Sequence, residues 1–143
     1  MAPSLPFPEK RGTPRVSRAN IGPCDIVVLR LPERKNRRGR VRELFWRERL
    51  PFRFADGVRV SDAEIEPHEI AAVGWEGKEG VDRALYLRGL VGCKRAHLRC
   101  LEAAARSGTH ALLLCEDDVA FRENWRALLE AAVAQAPAGW HQI

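Results

Sequence analysis

Ala111-Leu112-Leu113-Leu114-Cys115-Glu116-Asp117-Asp118-Val119-Ala120-Phe121 runs five apolar residues straight into three acids, after which apolar character resumes. A short continuous apolar run bounded by polar residues reads as a buried strand of a parallel sheet. Ionised carboxylates are costly to bury unpaired, so the three acids are expected to project from the strand end into a cleft. In open α/β sheets ligands bind at that edge. Adjacent carboxylates repel one another and suit a cation, and an oxygen-only ligand set favours a hard ion such as Mg²⁺ or Mn²⁺. The bland alternative is a solvated acidic turn before the next helix, and the run by itself does not choose between them.

Outward from this stretch, the chain has the size of one domain. Its 143 residues are 45% hydrophobic and 30% charged, ordinary for a globular protein. No apolar run reaches the roughly 20 residues of a spanning helix. Residues 1–20 carry prolines at positions 3, 6, 8 and 14 and no apolar segment, which excludes a secretory signal and reads as a disordered basic lead-in. The expected location is cytoplasmic. Charge is uneven: residues 1–60 hold 15 Lys/Arg against 6 Asp/Glu, whereas residues 61–143 hold 9 against 13. A basic half suits phosphate-bearing ligands, an anionic membrane surface or nucleic acid. The four cysteines, Cys24, Cys93, Cys100 and Cys115, include no Cys-x-x-Cys pair. They are therefore read as buried free thiols without zinc.

Asp25–Leu31 is β-branched and apolar, the first strand. Val41, Leu44 and Phe45 recur at helical spacing within residues 37–49, and Phe52–Ala55 forms a second strand ended by Asp56-Gly57. Such a βαβ unit implies parallel strands. Residues 58–86 read as a short helix after a Ser61–Glu64 cap, within an irregular excursion. Residues 89–106 form a helix with Cys93, His97, Cys100, Leu101 and Ala104 on one face, stopped by Ser107-Gly108. Asn124 caps a last amphipathic helix over residues 125–136, and Trp140–Ile143 reads as the start of another strand.

In this order the features resemble glycosyltransferase family 25, which includes bacterial lipooligosaccharide galactosyltransferases and animal collagen galactosyltransferases. Four segments carry the resemblance. Ile26–Leu29 with Glu33-Arg34 and Arg37-Arg38 is similar to the family's opening strand and Arg-rich helix start. Phe54-Ala55-Asp56-Gly57 is similar to its Ala-x-Asp-Gly turn. Leu87–His97 matches a segment with Arg-Gly, Gly-Cys and Ser-His, except that Ala96 replaces the serine and Leu90 stands where an acid is common. Leu114–Val119 matches its Glu-Asp-Asp motif.

The resemblance implies an α/β fold that is GT-A-like (Rossmann-like), with a mostly parallel sheet flanked by helices. Residues 21–143 would be a donor-binding domain, incomplete at its C-terminus because family members continue further. It also implies a UDP-sugar donor, commonly UDP-galactose, and Mn²⁺ or Mg²⁺ held by Asp118, Glu116 and Asp117. If extended geometry continues past the strand, Asp118 and Glu116 share a side and Asp117 faces the other way, towards a sugar hydroxyl or a structural partner. Arg34, Arg38, Asp56 and Gly57 are the candidate donor-binding residues. His97 is either a satisfied core histidine or a substrate contact. The acceptor is expected to be a glycan or lipid-linked glycan such as lipopolysaccharide or lipooligosaccharide, with peripheral contact to an anionic inner-membrane surface. No catalytic base is assigned; it is expected beyond Ile143. Two other readings stay open, a non-catalytic nucleotide-sugar-binding remnant and an Arg-rich nucleic-acid-binding module; nucleic acid ranks last among partners because no recognised module is present.

Overall fold

The computed structural model describes residues 24–76, 78–109 and 111–139. The lead-in over residues 1–20 and the strand start at residues 140–143 lie outside the described residues. Three parallel strands, β1 (Cys24–Arg30), β2 (Arg53–Asp56) and β3 (Ala111–Glu116), form a sheet in the order β2-β1-β3. The register pairs Val28 with both Phe54 and Cys115. The central strand is buried on both faces because its side chains alternate between two apolar layers.

On one face Ile26 and Val28 meet Val41 and Phe45 of α1 (Lys35–Arg47). Phe45 is fully buried and lies against Phe52 and Phe121, with ring centroids 4.5 and 5.3 Å away. Phe121 stacks in turn on Trp125, the first residue of α4 (Trp125–Gln135). On the other face Val27 and Leu29 meet Ala96 and Cys100 of α3 (Arg83–Ser107). The result is a helix–sheet–helix sandwich, the α/β architecture expected from the alternation of strand and helix signals. Among the described residues no helix is long and apolar enough to cross a membrane.

Several boundaries differ from the sequence reading. Helix α3 begins at Arg83, six residues before the expected Gly89, because the Asp82 carboxylate accepts the Leu85 N–H at 3.0 Å and caps it. At its other end Gly108 has φ 68° and closes the helix, as a left-handed residue does. Asn124 stands at the N-cap of α4 but works through its backbone, at φ 59°, without a side-chain cap bond. Among its described residues the excursion holds a 3₁₀ turn (Asp62–Glu64) and the short helix α2 (Pro67–Ala71). In the expected cap before it, the Ser61 N–H and hydroxyl both donate to Glu64, at 2.8 and 2.6 Å.

The excursion is tied to α3 by Glu69, a buried carboxylate that accepts from Lys94 at 3.1 Å and Arg95 at 2.9 Å. The Glu66 N–H first, then Arg95 and Lys94, hold its pKa down to about 2 from an ordinary 4.5. A depressed carboxylate adds stability that is complete above its unfolded pKa and disappears as pH falls towards the folded one. The urea midpoint should therefore drop between pH 4.5 and pH 2. Glu69→Gln should flatten that acid limb, and parallel curves for the two proteins would show that Glu69 does not set it.

Candidate functional site

Strand β3 ends at Glu116, and Asp117 and Asp118 lie in a turn closed by the Val119 N–H donating to the Glu116 carbonyl at 3.1 Å. Extended geometry therefore stops before alternation can place Glu116 and Asp118 together, and the three acids diverge. Asp117 turns inward and is buried, accepting from Arg37 Nη1 at 2.6 Å. Arg40 donates to the Asp117 backbone carbonyl at 2.9 Å, so two arginines of α1 hold the turn. Of the two orientations open to Asp117 in the sequence, it takes the structural one. Asp118 keeps 66% of its side chain exposed, with Arg37 at 3.4 Å. Glu116 leans towards α3, where it accepts from the Cys93 thiol at 3.4 Å and lies 3.8 Å from His97 Nε2.

All three acids line a cleft of about 480 Å³ at the C-terminal edge of the sheet. Its walls are the segment after β1, the segment after β2 and the middle of α3. Five arginines line it: Arg30, Arg34, Arg37, Arg59 and Arg88. Four are ion-paired, Arg30 with Asp56, Arg37 with Asp117, Arg59 with Glu33 and Arg88 with Asp62. Arg34 has no ion-pair partner among the described residues. Arg30 Nε is 3.1 Å from Asp56 but misaligned, so this buried N–H has no hydrogen bond among the described residues. A buried donor without an aligned acceptor is costly, and the Asp56 carboxylate 3.1 Å away offsets part of that cost.

Arg34 and Gly57 therefore border the cleft, whereas Asp56 borders it only through Arg30. Gly57 also allows close packing: a Cβ there would meet Leu31 Cδ2 at 2.9 Å. Arg38 is exposed, 6.0 Å from the Phe54 ring, and is not among the residues lining the cleft. His97 is half-buried, and its Nδ1 lies 2.9 Å from the Cys93 carbonyl one turn earlier. Cys93, expected in the core, instead opens on the cleft. Burial and the neighbouring Glu116 carboxylate push its pKa up. Sequence reasoning passed over Arg37 as a site residue, although it is the group that holds Asp117. Its one available signal was a helix rich in arginine at the end of β1, opposite an acidic strand end.

The oxygen donors meet a hard cation in part. Asp118 is exposed, with Arg37 at 3.4 Å, while Glu116 leans towards Cys93 and the Asp117 carboxylate is engaged by Arg37. No curated protein matches the chain. A family model described as glycosyltransferase family 25 (LPS biosynthesis protein) matches residues 24–140, most of the chain and all three strands. The chain thus belongs to glycosyltransferase family 25, and its class of activity is glycosyl transfer.

Proposed function

We propose that the cleft binds the diphosphate of a UDP-sugar, with galactose as the sugar, in a GT-A-like domain that serves transfer to a glycan or lipid-linked glycan. The observation that carries this reading is the charge gathered at the sheet edge: Arg30, Arg34 and Arg37 line one cleft with the exposed Asp118, and Arg34 has no ion-pair partner among the described residues. Arg34 and Arg30 supply hydrogen bonds to phosphate oxygens, a role that suits guanidinium geometry. Asp118 holds Mn²⁺ or Mg²⁺, with Asp117 as the buried residue that positions it through Arg37. Such a cation stabilises charge developing on the diphosphate leaving group. Gly57 keeps the wall after β2 close to β1, its N–H donating to the Arg30 carbonyl at 2.7 Å.

The test is calorimetry with UDP-galactose, in Mn²⁺ and in chelator. Binding is expected in Mn²⁺ and should weaken about 100-fold in chelator. Arg34→Ala should weaken it about tenfold or more, since a hydrogen bond to a charged group contributes about 1.5–3 kcal/mol. Equal affinity with and without chelator would refute the cation, and an unchanged affinity in Arg34→Ala would refute the phosphate contact.

A further inference from the structure

We infer that Cys93, His97 and Glu116 form a second cation site, selective for a borderline-soft divalent ion of the Zn²⁺ class and separate from the hard-ion position at Asp118. One ligand atom from each of the three residues lies within 4.8 Å of the others. Cys93 and His97 are four residues apart on α3, so one helical turn sets both side chains on the same face. Glu116 reaches them from the end of β3, the strand that follows α3.

Both separations to the carboxylate oxygen are near those of a tetrahedral site. Cys93 Sγ is 3.4 Å from Glu116 Oε1, and His97 Nε2 is 3.8 Å from the same oxygen. With Zn–S near 2.3 Å and Zn–N or Zn–O near 2.0–2.1 Å, tetrahedral edges come to about 3.3–3.6 Å. Small side-chain adjustments close the difference.

The histidine tautomer is also arranged for ligation. Its Nδ1 sits 2.9 Å from the Cys93 carbonyl, which accepts a proton and offers none. The carbonyl therefore takes its hydrogen bond from Nδ1 and directs Nε2 towards Glu116. Metal-ligating histidines use this outer hydrogen bond to fix tautomer and ring orientation. The third group is the Cys93 thiol, which donates to Glu116; binding replaces that hydrogen with the ion and releases one proton.

A thiolate, an imidazole and one carboxylate suit Zn²⁺, whereas Mn²⁺ and Mg²⁺ prefer oxygen. Three protein ligands leave a fourth position open, and Cys93 and Glu116 line the cleft, so that position faces ligand space. The missing Cys-x-x-Cys spacing argues against a closed structural zinc site, and this open one needs no second cysteine.

The experiment is a Co²⁺ titration of the reduced, chelator-treated chain, followed by absorption spectroscopy, with Zn²⁺ competition to displace the cobalt. Expected is one equivalent of Co²⁺ with a near-ultraviolet thiolate charge-transfer band and tetrahedral visible bands, all displaced by Zn²⁺. Cys93→Ser should abolish the charge-transfer band. His97→Gln should weaken binding at least as much as the roughly 10–100-fold loss that follows removal of an outer-shell partner. Asp118→Ala should leave the cobalt spectrum unchanged, which separates this site from the UDP-sugar reading. A missing charge-transfer band in the wild type overturns the inference, as does a band that survives Cys93→Ser or vanishes in Asp118→Ala. Should Cys93→Ser fail to fold by circular dichroism, unchanged affinity in His97→Gln overturns it independently.

Discussion

Asp118→Ala is expected to lower UDP-galactose affinity in Mn²⁺ about 100-fold, near 2.7 kcal/mol, bringing it to the level measured in chelator. Thermal stability should barely move. The side chain is two-thirds exposed and its described contact is Arg37 at 3.4 Å, a partner that Asp117 already holds at 2.6 Å. Exposed substitutions away from caps and cores usually change stability by within about 0.5 kcal/mol. Asp117→Ala should behave differently. Removing that buried carboxylate leaves Arg37 without its close partner and loosens the turn carrying Asp118, so melting temperature and affinity should fall together. Isothermal calorimetry and thermal melts on the three proteins distinguish the roles. Full affinity in Asp118→Ala, with affinity lost only in Asp117→Ala, would mean that Asp117 and Arg37 organise the site and that Asp118 holds no cation.

These roles differ in how far they could be read from the chain. The strands β1 and β3 were legible because both are continuous apolar runs, and the acids at the end of β3 were legible because charge cannot share that environment. Which way each acid turns was not. Asp117 finds Arg37 across 80 residues, a distance at which periodicity carries no information. The meeting of Glu116 with Cys93 and His97 was hidden for a related reason. On a helical wheel those two residues join Cys100 and Ala104 on an apparently apolar face, and only the packing of α3 beside β3 shows that the face runs from the core into the cleft. The N-cap Asp82 was masked by the glycines before it, so α3 was read six residues short at its start. Two of the missing residues, Leu85 and Arg88, belong to the cleft wall.

Two glycines of α3, three residues apart, are expected to respond to alanine with opposite signs. Glycine inside a helix is intrinsically worse than alanine by about 0.8–1.0 kcal/mol, so either substitution gains that much from propensity. At Gly89 an added Cβ meets nothing within 4 Å, and the position is exposed. Gly89→Ala should therefore raise stability by close to the propensity difference. At Gly92 the same Cβ would run into the Val58 carbonyl oxygen, with Val60 Cγ2 at 3.8 Å behind it. The obstacle is backbone rather than the end of a flexible side chain, so the helix and the wall after β2 must separate. Overpacking of this kind costs about 1–3 kcal/mol, enough to cancel the propensity gain and in most of that range exceed it. The displaced segments carry Val58, Arg59 and Cys93, all lining the cleft, so UDP-galactose affinity should fall along with the urea midpoint. The sign at Gly92 thus reports a contact between α3 and the wall after β2 that Gly89 cannot report. Gly92→Ala as stable as Gly89→Ala, with unchanged affinity, would show that helix and wall do not meet this closely.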